Sequence, residues 1–565
     1  MAAGRPSSAV TAESPHMGPP ADTPHVGVVT APEWRWVIFA SLAVMAATCV
    51  PYLFGWYITP PGFKYMGLLA NPDEHNVYLG WMRQAERGRL LFFDPFTTES
   101  QQAAFFHIFF LALGVAGRIT HAPLIVVYHG ARVISGLLLL TGVYALAAQL
   151  SERLLTRRLG WAFAAFSSGF GWLYALANPA APVHPIDFGP GLVMPEAITF
   201  LSLLLNPLFC FSVWLMVVLW IGYLVAVRTG SWKAALLAGA AGLVLGNVHT
   251  YNVITVWLTL GAYVSVVAIL GRRVPARELK FAALIGAMAA PFVIYQYWLY
   301  QANAVFREKA LTPTLTPPPA FFVIGYGIVL ALAIAGAAMV LARRSRPAIV
   351  MVAWTVVTLV LVFAAPFSFQ RKLAEGLHIP LCLLAALFIG EWAAPRMRPR
   401  AATALAAVLV IASAPSNVFF MARGFRDLTN NNAAYVSVLM PPLYLRADSV
   451  AAMTWLRGNT AMENAVLCMP LEGSYLPGVA GNKVFIGHWA ETLHYADKLK
   501  AVRWFFSARP QAGERREFVQ ANGLRYVLYT PNEAALGPFS PAASSEFEQI
   551  FARPEAILFR PAGSG

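Results

Sequence analysis

Long apolar runs dominate the first 421 residues, and a helix needs about 20 such residues to cross a bilayer. The runs lie at roughly 34–56, 122–150, 158–177, 198–227, 233–247, 252–270, 279–300, 320–342, 347–366, 377–394 and 401–421. They predict an α-helical polytopic membrane protein with about eleven transmembrane helices. The apolar run Phe105–Gly117 has only thirteen residues and predicts a helix lying on the membrane surface. The run at 233–247 is short, so the turn Gly246–Asn252 is expected below the surface, lining a cavity. Beyond 421 the pattern changes. Strand-like runs at Ala465–Met469, Lys483–Gly487, Arg525–Tyr529 and Ala556–Phe559 alternate with helical patterns at 448–458, 491–507 and 511–522. This predicts a small soluble α/β domain over 422–565, preceded by a membrane domain at 34–421. Residues 1–33, rich in Ala, Pro, Ser and Thr, read as a disordered tail, with Trp34–Trp56 as an uncleaved first helix.

Composition agrees. The chain is 58% hydrophobic and 12% charged, about half the charge of an ordinary soluble protein. It cannot clothe a globular surface, which excludes a soluble enzyme, a disordered protein and a disulfide scaffold. The net charge of +14 reads as basic loops rather than a nucleic-acid surface. Of the 68 charged residues, 26 fall in 422–565. The short basic connections are Arg153/Arg157/Arg158, Arg228/Lys233, Arg272/Arg273/Arg277/Lys280, Arg343/Arg344/Arg346 and Arg396/Arg398/Arg400. The positive-inside rule makes them cytoplasmic. The tail is then cytoplasmic, the C-terminal domain extracytoplasmic, and the setting the cell (cytoplasmic) membrane. Were Phe105–Gly117 to cross, Arg153–Arg158 would fall outside and break the alternation.

The longer connections at 57–121, 178–197 and 301–319 are then external, as is a shorter one at 367–376. Histidines outside the tail, including His75, His107, His184, His249 and His488, lie there or near external helix ends. Chemistry is therefore expected on that side. The four cysteines make no CxxC pair or Cys/His metal set.

The strongest local signal is Asn71-Pro72-Asp73-Glu74-His75-Asn76, about fifteen residues beyond the first span. Vicinal carboxylates raise one another's pKa. In a partly dry cleft one of them can take a proton from a hydroxyl or amine nucleophile; on an open loop they are simply solvated acids. An acidic pair opening the first external loop, followed by a surface helix and a long span, resembles the GT-C glycosyltransferases. These are membrane enzymes that use polyprenyl-phosphate sugars. Pro72-Asp73-Glu74-His75 resembles the His-Pro-Asp-Glu signature of the lipid-linked mannosyltransferases of dolichol and GPI assembly, with Asn71 where their His stands. Protein O-mannosyltransferases and aminoarabinose transferases carry a similar pair in this loop. The likeness in layout covers the apolar block, and the motif itself covers four to six residues.

This resemblance implies direct, inverting transfer at the outer membrane face. Asp73 is the implied general base, with Glu74 as its partner or a positioning residue. A leaving phosphate needs positive charge. Arg371-Lys372 supplies adjacent cations before the tenth span, and Arg83 is a further candidate. Interfacial snorkelling is the other role open to Arg371 and Lys372. Glu196 either caps a helix N-terminus or faces the cavity with His75, His107, His249 and Asn252. His107 also suits packing on the surface helix, and His249 a satisfied helix end. Gly487-His488-Trp489-Ala490-Glu491-Thr492 suits sugar stacking or a strand-end loop. A divalent metal (Mg or Mn) is used by some such enzymes and not by others. The implied partners are a polyprenyl-phosphate-linked sugar donor, membrane lipid, and an acceptor glycan, lipid or protein. Two other functions compete: a lipid or polysaccharide transporter or flippase, and a non-catalytic envelope-assembly scaffold.

Overall fold

A computed structural model describes residues 27–178, 194–430, 442–511 and 513–563. Most of the tail, most of the connection at 178–197 with His184, and residues 431–441 lie outside the described residues.

The apolar runs become helices whose ends follow local chemistry. In α1 (Ala31–Tyr57), Thr30 and Glu33 form a reciprocal capping box. Then come α2 (Pro72–Glu86), the surface helix α3 (Ile108–Thr120) and the long α4 (Leu124–Leu150). The expected span at 158–177 is instead two short helices, α5 (Leu154–Phe166) and α6 (Gly171–Ala177). The chain breaks at Ser167–Phe170, where the Ser168 amide donates to the Ser413 carbonyl at 2.7 Å. Gly169 there has φ +63°, and a Cβ on it would sit 2.3 Å from the Gly325 carbonyl oxygen. The run at 198–227 divides into α7 (Thr199–Leu205) and α8 (Pro207–Thr229). Asn206 caps α8 and Pro207 occupies its first turn.

The helices that follow are α9 (Trp232–Val248), α10 (Thr250–Gly271) and α11 (Ala276–Ala302), then the short α12 (Ala304–Ala310), α13 (Pro319–Arg343) and α14 (Arg346–Ala364). They are followed by α15 (His378–Leu387), α16 (Pro399–Ser413) and α17 (Pro415–Thr429). Among the described residues, nine helical stretches are long and apolar enough to cross a membrane. The difference from eleven comes from the broken α5–α6 segment and from α9, which has only 17 residues. The chain is a multi-pass membrane protein.

The C-terminal region contains α18 (Ala447–Asn459), α19 (Pro470–Val479), α20 (Tyr495–Phe506), α21 (Glu514–Ala521) and α22 (Pro531–Ala534). Strands β1 (Phe63–Tyr65) and β2 (Tyr444–Arg446) pair antiparallel, with Lys64 opposite Leu445. They tie the segment after α1 to the C-terminal region. A second sheet has the order β3 (Ala465–Leu467), β4 (Leu524–Tyr529), β6 (Ala556–Pro561), β5 (Phe547–Arg553). Its β3–β4 pair is parallel and the other pairs are antiparallel. The run expected as a strand at Lys483–Gly487 contributes only a bridge between Val466 and Val484, because the Val484 amide turns to the Pro95 carbonyl at 2.9 Å. The edge strand β5 was not expected. Its alternation is interrupted by an irregular register between Gln549 and Phe551.

This region clamps the segment that carries the acidic pair. Arg83 Nε donates to the Gly478 carbonyl at 3.1 Å, and Thr492 Oγ1 to the Phe96 carbonyl at 2.8 Å. Lys498 Nζ donates to Thr97 Oγ1 at 3.0 Å. A Cβ on Gly478 would lie 3.0 Å from Leu79 Cβ, so α19 approaches α2 closely because a glycine stands there.

Candidate functional site

Pro72 starts α2, and Asn71 before it adopts the left-handed conformation at φ 50°, ψ 50°. The turn delivers Asp73 and Glu74 into the first helical turn, where the helix dipole favours negative charge. The C-terminal region covers Asp73. Asp73 is 3% exposed. Its Oδ2 accepts from the Trp489 indole Nε1 at 3.2 Å and lies 3.6 Å from His488 Nε2. Its Oδ1 is buried and makes no hydrogen bond among the described residues.

The two acids are differentiated by their surroundings. Burial pushes the Asp73 carboxyl above its ordinary range; His488 opposes this and the charge of Glu74 adds to it. Burial acts on Glu74 in the same direction, but Lys372, His488 and Lys309 outweigh it and hold Glu74 below the usual carboxylate range. One carboxyl is thus disposed to take a proton, and its neighbour to stay ionised among cations.

Lys309, on α12, pairs with Glu491 and sits 5.0 Å above the Trp81 ring. Desolvation would lower its ammonium, yet Glu491 and Asp94 raise it. Asp94 is itself raised, first by burial and then by Glu491. Arg371 Nε bonds Glu196 Oε1 at 2.9 Å, so Glu196 serves as an ion-pair partner. Lys372 is exposed and makes no ion pair or side-chain hydrogen bond among the described residues. Glu375, fully buried, accepts from Tyr251 Oη at 2.6 Å and meets His249 Nδ1 at 2.9 Å. The chain thereby fixes the turn that presents Arg371 and Lys372.

The other expected residues take supporting positions. His75 Nδ1 meets Tyr128 Oη at 2.7 Å, and its ring also bonds the Ala70 carbonyl; burial lowers it to about 4. It braces the turn before α2 as a neutral imidazole. His107 caps α3 and reaches the Val248 carbonyl at 3.2 Å, joining α3 to α9. Asn252 Nδ2 donates to Ser212 Oγ at 2.9 Å inside the bundle. Arg83 does not join the acidic pair. Ten residues along α2, it is about 15 Å from Asp73, and it is engaged by Glu86 and the Gly478 carbonyl. Helical rise carries it toward α19 and away from the cations near Glu74.

No three His, Cys, Asp or Glu side chains among the described residues converge as a metal-binding group. Asp73 faces nitrogen donors and Glu74 faces cations, unlike the oxygen cage that a hard divalent cation takes. Among the described residues, Asp73 and Glu74 as arranged do not form such a cage.

No protein-family model and no curated protein sequence matches the chain. Solved structures do. The arabinofuranosyltransferase AftD from Mycobacteria aligns over 95% of this chain and 40% of its own, with 15% identity and a TM-score of 0.54. The oligosaccharyltransferase of Archaeoglobus fulgidus in the apo form aligns over 93% of this chain and 74% of its own, with 12% identity and a TM-score of 0.51. The same organism's AglB, in complex with an inhibitory peptide and a dolichol-phosphate, covers the same shares with 12% identity and a TM-score of 0.50. The chain has a GT-C fold.

Within this GT-C fold, sequence reasoning missed Lys309, Tyr251 and Glu375. Lys309 carries no motif. Tyr251 follows His249 in an apolar turn, and Glu375 lies four residues after Arg371; a lone acid just before a long apolar run was the available signal. His488 and Trp489 stood out as a polar-aromatic cluster, but nothing local tied them to Asp73.

Proposed function

We propose that this chain is an inverting glycosyltransferase that moves a sugar from a polyprenyl-phosphate donor to an acceptor. The basic connections lie at the helix ends opposite the acidic pair, which supports transfer at the outer, non-cytosolic face of the cytoplasmic membrane. The observation that carries the reading is the Asp73 carboxylate. The Trp489 indole holds one oxygen, with His488 Nε2 3.6 Å from it, and among the described residues the other oxygen is buried, unpartnered and therefore available for a proton.

In this reading the acceptor hydroxyl or amine attacks the anomeric carbon. The new bond to carbon forms as the carbon–oxygen bond to phosphate breaks, and the electron pair leaves with the polyprenyl phosphate. The nucleophile's proton passes to Asp73 Oδ1. Glu74 stays ionised and positions the neighbouring cations. Lys372, which has no ion-pair partner among the described residues, meets the leaving phosphate, and Arg371 adds charge beside it from its bond to Glu196. The dolichol-phosphate bound by the fold neighbour AglB supports a lipid-phosphate donor here.

The test is acceptor-dependent cleavage. Purified protein in vesicles is given polyprenyl-phosphate sugars with label on the sugar, and release of free polyprenyl phosphate is followed beside movement of the intact lipid across the bilayer. Release that requires acceptor supports the proposal. Translocation of uncleaved lipid without release overturns it in favour of a transporter.

A further inference from the structure

The end of the helix bundle opposite Asp73 holds a cavity of about 550 Å³, within the range of small-ligand sites. Four arginines reach it from segments far apart in sequence: Arg228 at the end of α8, Arg273 from the α10–α11 connection, Arg277 in the first turn of α11, and Arg346 at the start of α14. Glu278 is the one acid in its lining, 6% exposed and 3.3 Å from Arg346. Arg277 is spent on the Val227 carbonyl at 3.3 Å. Arg228 and Arg273 make no side-chain hydrogen bond or ion pair among the described residues. The inner wall is apolar, built from the buried Leu224 and Val267 beside Tyr263.

Basic residues are expected at this end of any membrane bundle, and two of them elsewhere on it are paired with acids. Arg157 pairs with Glu33 at 2.9 Å and Arg153 with Glu391 at 3.2 Å. At the cavity, four guanidinium groups face one carboxylate. Guanidinium forks match phosphate oxygens, and helix ends at this depth meet lipid headgroups.

We propose that this cavity binds a phosphate-bearing anion, either the headgroup of an anionic phospholipid or free phosphate, with Arg228 and Arg273 as its principal ligands. The apolar wall suits the glycerol and first methylenes of a lipid. The site does not depend on the glycosyltransferase reading.

The experiment measures binding and thermal midpoint of the full chain in micelles doped with phosphatidylglycerol or phosphatidylcholine, and separately with inorganic phosphate. Phosphatidylglycerol is expected to raise the midpoint where phosphatidylcholine does not, and affinity is expected to fall about tenfold for each guanidinium removed. The Arg228→Gln/Arg273→Gln double variant should lose the effect, and Arg273→Gln alone should weaken it. A control triple variant, Arg396→Gln/Arg398→Gln/Arg400→Gln, should keep it. Protection by inorganic phosphate alone, lost in the double variant, also supports the site and assigns the source to free anion. The proposal is overturned if neither ligand protects, or if the double and control variants respond alike, since bulk charge would then account for the effect.

Discussion

Replacing Trp489 by Phe keeps a ring over the acidic pair and removes one proton donor. The indole N–H donates to Asp73 Oδ2 at 3.2 Å, the long end of the normal range, and Trp489 is 38% exposed. A hydrogen bond to a charged group contributes about 1.5–3 kcal/mol, and this geometry places it at the lower limit. The bond stabilises the ionised carboxylate. Its loss therefore raises the Asp73 carboxyl further, in the direction burial already drives it. A base must be deprotonated to act, so the acidic limb of kcat/KM against pH should move upward by about one unit. Below that limb Trp489→Phe should run about tenfold slower than the wild type, and above it the two rates should converge. The assay is acceptor-dependent release of polyprenyl phosphate at constant ionic strength across the pH range. A limb that stays in place, or a loss equal at every pH, would refute the assigned link between Trp489 and the protonation of Asp73.

Other outcomes follow from the same geometry. Lys372→Gln removes the unpaired cation and should raise the donor KM about tenfold with a smaller change in kcat, read by steady-state kinetics with the lipid varied. Arg371→Ala leaves the nearly buried Glu196 without its partner and should lower stability by about 2 kcal/mol; Arg371→Ala/Glu196→Gln should recover most of it in a thermal melt. Glu472 in the C-terminal region is raised to about 8, first by burial and then by Glu533. Its folded form binds the proton more tightly than the unfolded chain. Stability should therefore be highest in acid and fall between about pH 5 and 8, by at most about 1.4 kcal/mol per unit. Melts of Glu472→Gln should lack this part of the decline.

Much of the helical frame is legible from run length and capping residues. Thr30–Glu33 marks the start of α1, and Asn206-Pro207 lies where α7 gives way to α8. The break at Ser167–Phe170 is less visible, because the carbonyls it meets come from Ser413 and Ile324, remote in sequence. The acidic pair is visible as adjacent charges after a span. Its environment is not: Trp489 lies 416 residues from Asp73, and only tertiary packing of the C-terminal region on α2 brings them together. Lys309 is equally silent, an ordinary loop lysine until α12 folds it against Trp81 and Glu491. Arg83 shows the converse. Nearness in the same external loop suggested a shared site, and ten residues of helical rise separate it from Asp73.

The most direct measurement compares wild type with Asp73→Asn in one reconstituted assay for acceptor-dependent cleavage of a polyprenyl-phosphate sugar. Asparagine preserves shape and removes the proton-accepting charge, so kcat should fall by at least about a hundredfold. Because burial already disfavours the ionised carboxyl, the variant's thermal midpoint at pH 8 should match or exceed the wild type's. Turnover by Asp73→Asn within about twofold of the wild type would contradict the account at its centre.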